Sequence, residues 1–446
     1  MFTDRDLRKL LIPLVLEQLL SGFMGIADTL MVARVGDTAI SAVSCVDAIN
    51  TLVLYLTSAL AAGGTIVCAQ YLGRKDRTNA ARAGQQVFLV AFSLSLALMV
   101  LALVLRRFWL QLIFGRVEAA VMEQGVQYFF LTALSYPFLA LQQTSAAQFR
   151  ACGNSRLPML VTAFANCTNI AGNAILIFGF GLGVRGAALA TLGSRVINAV
   201  IVLIFQRDPS LDIPFRDYLS IRPDRRLILT VCRIAIPNGV ENGMFQLGRL
   251  LVQSTVATLG TTAIAAQAMI YTLDSIQSMP GIAVGIGTLT VVGQCMGAGR
   301  VDEARKYTGK LCRICWYVVC AFSLVVIALC SRICALSGLS SEIAGLTFRF
   351  LAVITGAKLL MWIPAFCLPY SLRAAGDASF SAAVSAGSMW AFRVGLSALL
   401  CRVFGFGLSG VWIAWFTDWV CRLSFYITRF CGHKWETKNV IERRDG

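Results

Sequence analysis

Five carboxylates stand where an apolar chain has little reason to carry them. Glu17 and Asp28 interrupt the first apolar stretch, Leu10 to Val35, and Asp47 sits in the second. Glu241 and Asp274 lie in comparable stretches of the second half. An acid at membrane depth costs about 2.5–3.5 kcal/mol on insertion scales, so such residues usually face a polar interior and carry function. The chemistry open to them is uptake and release of a proton or a metal cation, because the two compete for one carboxylate. Asp28 has a plainer alternative, a place in the outer interfacial zone beside Arg34. For Glu17, Glu241, Asp47 and Asp274 the alternatives are a gating or supporting role and a hydrogen-bonded cap or ion pair. Arg249, Lys358 and Arg393 offer counter-charges in the second half. Pro13, one turn before Glu17, removes a backbone donor and favours a bend.

These acids belong to a chain of 446 residues that is 57% hydrophobic and only 14% charged, with a mean hydropathy of +0.72. A soluble domain is nearer a quarter charged, so an all-α polytopic membrane protein is expected. The start MFTDRDLRKL runs into an apolar segment too long for a signal-peptide core, so no cleavable leader is expected. The fifteen cysteines are scattered through apolar segments, where a free thiol packs as a small hydrophobe. Cys312-x-x-Cys315 has a metal-like spacing but no second pair, and the only histidine is His433 in the tail. No metal site is expected from that set. Neither a GxxxxGK[ST] phosphate loop nor a nucleophile–base pair occurs, so the chain does not read as an enzyme.

Twelve helices account for the apolar stretches, near 10–35, 39–70, 84–106, 125–150, 157–180 and 186–206, then 228–255, 262–294, 310–332, 342–372, 380–403 and 409–430. This gives a lobe over 1–206, a charged connector over 207–226 and a second lobe over 227–446. Lys and Arg fall unevenly between alternate ends of these helices. Twenty-five, including Arg150, Arg216, Arg373, Arg443 and Arg444, fall on one side, and seven, including Arg34, Arg116 and Arg185, on the other. By the positive-inside rule both termini and the connector are cytoplasmic. The net charge of +16 is thereby explained by topology rather than by nucleic-acid binding.

The halves are copies. Pro13 and Glu17 recur as Pro237 and Glu241, Gly36-x-x-Ala-Ile-x-Ala as Gly260-x-x-Ala-Ile-x-Ala, and Gln70-x-x-Gly73 as Gln294-x-x-Gly297, all at an offset of 224. Arg150-Ala151-x-Gly153 matches Arg373-Ala374-x-Gly376, and FGFGL occurs at 178–182 and 404–408. Six helices per copy is an even number, so the copies share one orientation, as parallel repeats of transporters do. Asp28 aligns with Val252 and has no twin.

Five segments in order carry a resemblance: Pro13 with Asp28 in the first helix, AQYLGRKDRTNAARAG (69–84), AAQFRACGNSRLP (146–158), NIAGNAILIFGFGLGVRGAALAT (169–191) and VGQCMGAGRVDEA (292–304). Together they resemble the multidrug and toxic compound extrusion (MATE) family over nearly the whole chain. The resemblance implies V-shaped lobes around a central cavity. It also implies antiport of drug-like, often cationic compounds against H+ or Na+ by alternating access, in the plasma membrane and without a further cofactor. It makes Asp28 the coupling acid and Pro13 the bending point of its helix. Asn169, Asn173 and Thr191 match the polar cluster that joins that acid in one branch, with Asn173 standing where the branch has Asp. The substrate cavity is expected to include Phe23, Met24, Met244, Phe245, Tyr271 and Met279, since aromatic faces attract organic cations and Met re-packs around varied shapes. Expected partners are small organic substrates and membrane lipids, with the monomer as the working unit. A lipid-linked oligosaccharide flippase of the same superfamily is the alternative; its pyrophosphate would call on Arg249, Lys358 and Arg393.

Overall fold

The computed structural model describes residues 1–115, 118–209, 211–214, 221–438 and 440–441. Arg116, Arg216, Arg443, Arg444 and part of the connector lie outside the described residues. Every regular element among the described residues is a helix. The chain divides into two compact units, Phe2–Ile236 and Pro237–Gly446 with Met1. Their boundary falls at Pro237, inside a helix.

The first unit contains α1 (Asp4–Ala33), α2 (Asp37–Gly73), α3 (Arg77–Phe114), α4 (Ala119–Leu134), α5 (Tyr136–Ala151), α6 (Arg156–Asn173) and α7 (Gly183–Gln206). The helix α8 (Arg225–Ala257) begins in this unit and continues into the second. The second unit goes on with α9 (Thr261–Gly297), α10 (Val301–Leu336), α11 (Ser341–Ala357), α12 (Ile363–Ala375), α13 (Ala378–Ser388), α14 (Ser397–Arg402) and α15 (Gly407–Cys431). Three π-helical segments occur: Ala174–Gly179 extends α6, while Lys358–Trp362 joins α11 to α12 and Met389–Leu396 joins α13 to α14. Such turns widen the backbone and are frequent at functional sites.

Nine helical segments among the described residues are long and apolar enough to cross a membrane. The other three expected spans are helical but differ in kind. The predicted helix over 125–150 is α4 and α5, two helices of 16 residues each, broken at Ser135. The helix α8 carries Arg225, Arg226, Arg233, Glu241 and Arg249, and α15 carries Asp418, Arg422 and Arg429. Charge, not loss of helix, separates these two from the nine.

The duplication holds in the backbone. The helices α2, α3 and α7 begin 224 residues before α9, α10 and α15. Gly36 and Gly260 open α2 and α9 with φ of 135° and 95°, a region in which a side chain is strained. The FGFGL match is displaced by two residues from this register. The left-handed glycines are Gly181 and Gly183 in one copy and Gly405 and Gly407 in the other, again 224 apart. Turn geometry, not the letter string, defines the equivalence.

The most buried spans are α2 and α9, at 67% and 78% of their apolar windows against 22–50% for the rest. Small residues let neighbours approach them. A Cβ at Gly64 would lie 2.8 Å from Val87 on α3, and one at Gly285 2.5 Å from the Tyr370 ring on α12.

Two buried ion pairs repeat with the fold. Glu17 on α1 is bound by Arg150 in the last turn of α5. Glu241 on α8 accepts from Arg373, in the last turn of α12, through both carboxylate oxygens at 2.7 Å. Arg373 also donates to Asn238 and Ser381, both at 3.1 Å. Glu17 and Glu241 are 5% and 6% exposed, so each carboxylate has its arginine where it would otherwise have water. Glu17→Ala and Glu241→Ala are each expected to destabilise by about 3–5 kcal/mol, measured as a lower melting temperature in detergent. Adding Arg150→Ala or Arg373→Ala to the matching variant is expected to cost less than the sum of the two single losses.

Candidate functional site

In the first unit, α1, α2, α4, α6 and α7 bring polar side chains around a cavity of ≈120 Å³. Asp28, Asp47, Tyr128, Asn173 and Thr191 line it, with Ser44, Thr29 and apolar groups completing the wall. Helical spacing sets the inner layer. Asn169 and Asn173 are one turn apart on α6 and so share a face, as do Thr191 and Ser194 on α7. Asn173 donates through Nδ2 to Asp28 and, at 3.0 Å, to Asn169 Oδ1. Asn169 Nδ2 then reaches Ser194 Oγ at 3.3 Å and Thr191 Oγ1 at 3.4 Å. The four residues expected to form a polar cluster are therefore joined in one network.

One buried atom in it is left over. Asn173 is 1% exposed, yet its Oδ1 has no protein hydrogen-bond partner. A buried carbonyl-type oxygen without a donor costs about 1–3 kcal/mol, and here it belongs to a residue of the cavity wall beside a carboxylate. That pairing suits a cation or a water.

Asp47 joins the same cavity from α2, which the sequence pattern does not indicate. It accepts from Asn50 Nδ2 at 3.1 Å and from the Tyr128 hydroxyl at 3.4 Å. Asn50 in turn accepts from the Tyr136 hydroxyl at 2.8 Å. Neither tyrosine is legible as a site residue in the sequence, because each looks like one more aromatic in an apolar helix. Pro13 lies within α1, which continues as one helix from Asp4 to Ala33.

The second unit uses its ionisable residues differently. Lys358, on the π-turn between α11 and α12, is fully buried. It lies 2.5 Å from Asp274 Oδ1 and donates to Ser278 Oγ at 2.9 Å and to the Asp274 carbonyl at 3.1 Å. Asp418 is held between Arg393 at 2.6 Å and Arg422 at 2.8 Å. Glu241 takes Arg373 rather than any of Arg249, Lys358 or Arg393. Guanidiniums also stack on two of the expected aromatics. The Phe245 ring lies under Arg422 at 4.8 Å and Arg393 at 5.7 Å, and the Tyr271 ring under Arg249 at 5.4 Å. Phe23 remains exposed at 58%, and Met24, Met244 and Met279 are half-buried. Position 252, the counterpart of Asp28, is a valine 1% exposed in an apolar cluster with Val256, Cys401 and Val411.

A duplicated bundle of apolar helices, with a buried polar pocket in one copy and paired charges in the other, defines a polytopic membrane protein built around ionisable groups. The chain belongs to the MatE family, whose profile matches residues 13–175 and again 237–399. The two matches are themselves 224 residues apart. The chain is 27% identical to the uncharacterized transporter YisQ of Bacillus subtilis, over 97% of this chain and 94% of that protein. It is 26% identical to the probable multidrug resistance protein NorM of Thermotoga maritima, over 98% and 94%. Crystal structures of MATE in the straight and in the bent conformation superpose with TM-scores of 0.88 and 0.85, each over 96% of both chains, at 18% and 19% identity. That likeness establishes the fold.

Asn173 contributes no charge to the pocket. Asn173→Asp would place a second carboxylate within reach of Asp28 and remove the amide donor between them. The variant is expected to show dye efflux stimulated by sodium beyond that of the unaltered protein, measured in vesicles at fixed pH and ionic strength.

Proposed function

We propose that this protein is a cation-coupled secondary antiporter that exports drug-like organic compounds by alternating access. The observation that carries the reading is the pocket around Asp28. It offers ≈120 Å³, well below the roughly 300–1,000 Å³ of a small-molecule site. It is the size for an ion with a few waters. A proton or cation taken up at Asp28 changes what Asn173 and Asn169 can donate to. These residues tie α1 to α6 and α7, so occupancy of the pocket bears on how α1 is held. Pro13 gives α1 the place at which to bend. The substrate class follows from relatives named as multidrug resistance proteins. The unequal distribution of Lys and Arg supports a plasma-membrane protein with both termini in the cytoplasm.

The flippase alternative called on Arg249, Lys358 and Arg393 for a pyrophosphate. Lys358 is paired with Asp274 and Arg393 with Asp418, which Arg422 also binds, so two of these three cations already have a carboxylate partner, while Arg249 stacks on Tyr271. Catalysis has no role in this reading, and no cofactor is needed beyond the coupling ion.

Asp28→Asn keeps the shape of the side chain but can neither take up a proton nor offer a negative charge to a cation. It is expected to retain expression and to abolish gradient-driven efflux of a cationic dye from cells or proteoliposomes. Efflux at the unaltered rate would refute the assignment. Efflux driven by a pH gradient in sodium-free vesicles identifies the proton as sufficient; efflux only when sodium is added identifies sodium.

A further inference from the structure

The pocket around Asp28 has a second half with its own charge balance. Asp47 faces the same cavity as Asp28 and is fixed by Tyr128 and by Asn50, which Tyr136 fixes in turn. One residue before Tyr136, at the break between α4 and α5, the Ser135 hydroxyl accepts from Arg195 Nη1 at 2.6 Å. Arg195 lies one turn beyond Thr191 on α7. This hydrogen bond sets its guanidinium next to the chain Tyr136–Asn50–Asp47, within electrostatic reach of Asp28 and Asp47 though in ion-pair contact with neither. Asp28, Tyr128, Tyr136 and Arg195 are the charged and titratable groups that bear on Asp47, from α1, α4, α5 and α7. Two carboxylates against one guanidinium leave a single uncompensated negative charge, and Asn173 adds none. Asn173, on the same wall, carries a buried Oδ1 that no protein donor satisfies.

We infer that Asp47 is a second ion-handling carboxylate and that Arg195 is its resident counter-charge, so that the pocket takes up one monovalent cation per cycle and disfavours a divalent one. This rests on the cation-coupled reading above and adds to it. If Asp28 acted alone, Asp47 and Arg195 would be a bystander pair. If they set the charge, each is consequential and the two compensate each other. Asp47→Asn leaves the pocket neutral and without electrostatic attraction for a cation. Arg195→Gln leaves it with a charge of two and room for a second cation. Both changes together restore the original balance.

The test uses the full chain in proteoliposomes, with dye efflux followed against the ion gradient and the charges moved per dye taken from reversal potentials. Asp47→Asn is expected to raise the half-saturating ion concentration at least about tenfold, as loss of a charge at 4–6 Å does. Arg195→Gln is expected to raise the charge moved per dye, and the double variant to return both quantities toward those of the unaltered protein. A double variant worse than either single one overturns the inference, as does Asp47→Asn behaving as the unaltered protein or Arg195→Gln with unchanged stoichiometry. Where a single variant fails to reconstitute, Asp47→Glu and Arg195→Lys retain the charges; recovery of coupling in these supports the inference, and its loss in both overturns it. Asp28→Asn separates the two levels. Coupled efflux in that variant refutes the cation-coupled reading itself, whereas an inactive Asp28→Asn beside unaltered Asp47→Asn and Arg195→Gln refutes only the present inference.

Discussion

A carboxylate taken out of water must find a cation or enough neutral donors to hold it, and the twin pairs Glu17–Arg150 and Glu241–Arg373 are where this fold meets that constraint with a cation. In each copy the acid lies in the first helix and the arginine in the last turn of the helix that completes the fourth span. The pair therefore fixes a helix that opens the copy to one that closes its middle. Arginine suits the task because its planar fork matches a carboxylate and remains charged when buried. Its position also places positive charge at a helix C-terminus, where exposed carbonyls favour it. Removing either partner leaves a charge with no water to solvate it. This makes the pair a specification of how the two helices meet, more than a source of net stability.

The rest of the charge distribution departs from that symmetry. In the first unit, Asp28 and Asp47 open onto a small cavity and are held chiefly by neutral donors: Asn173, Asn50 and Tyr128. In the second, Asp274 and Asp418 are bound directly by Lys358, Arg393 and Arg422. The same helix scaffold thus carries a pocket with negative charge to spare in one copy and directly paired, net positive clusters in the other. At the position equivalent to Asp28, Val252 packs in an apolar cluster. Duplicated backbones allow this divergence because the helix frame rests on small residues, positive-φ glycines and the Glu–Arg pair, none of which demands a particular residue at the site.

Much of this was legible in the chain itself. The offset of 224 predicts which helices correspond, and the structure keeps it for α2, α3 and α7 against α9, α10 and α15. The acids in apolar segments point to the places where polar chemistry occurs, and Asn169, Asn173 and Thr191 do meet around Asp28. Partners were less legible. Arg150 and Arg373 read as loop charges that orient the chain, although their near-identical spacing matches that of Glu17 and Glu241. Phe245 and Tyr271 read as cavity aromatics, and nothing in their spacing shows that Arg393, Arg422 and Arg249 stack on them. Ser135 gave no sign that the fourth span breaks there, because a serine is tolerated in a helix and only its surroundings decide.

What the sequence by itself determined is the membrane class, the twofold repeat and the family, since apolar length, composition and spacing are local properties of the chain. What only the tertiary structure decided is which charges neutralise one another. Asp47, Arg195, Tyr128 and Tyr136 come from four helices that the sequence separates by as many as 148 residues. A Coulomb interaction depends on distance in space, on the dielectric around it and on the donors that fix each group. None of those is written along the chain.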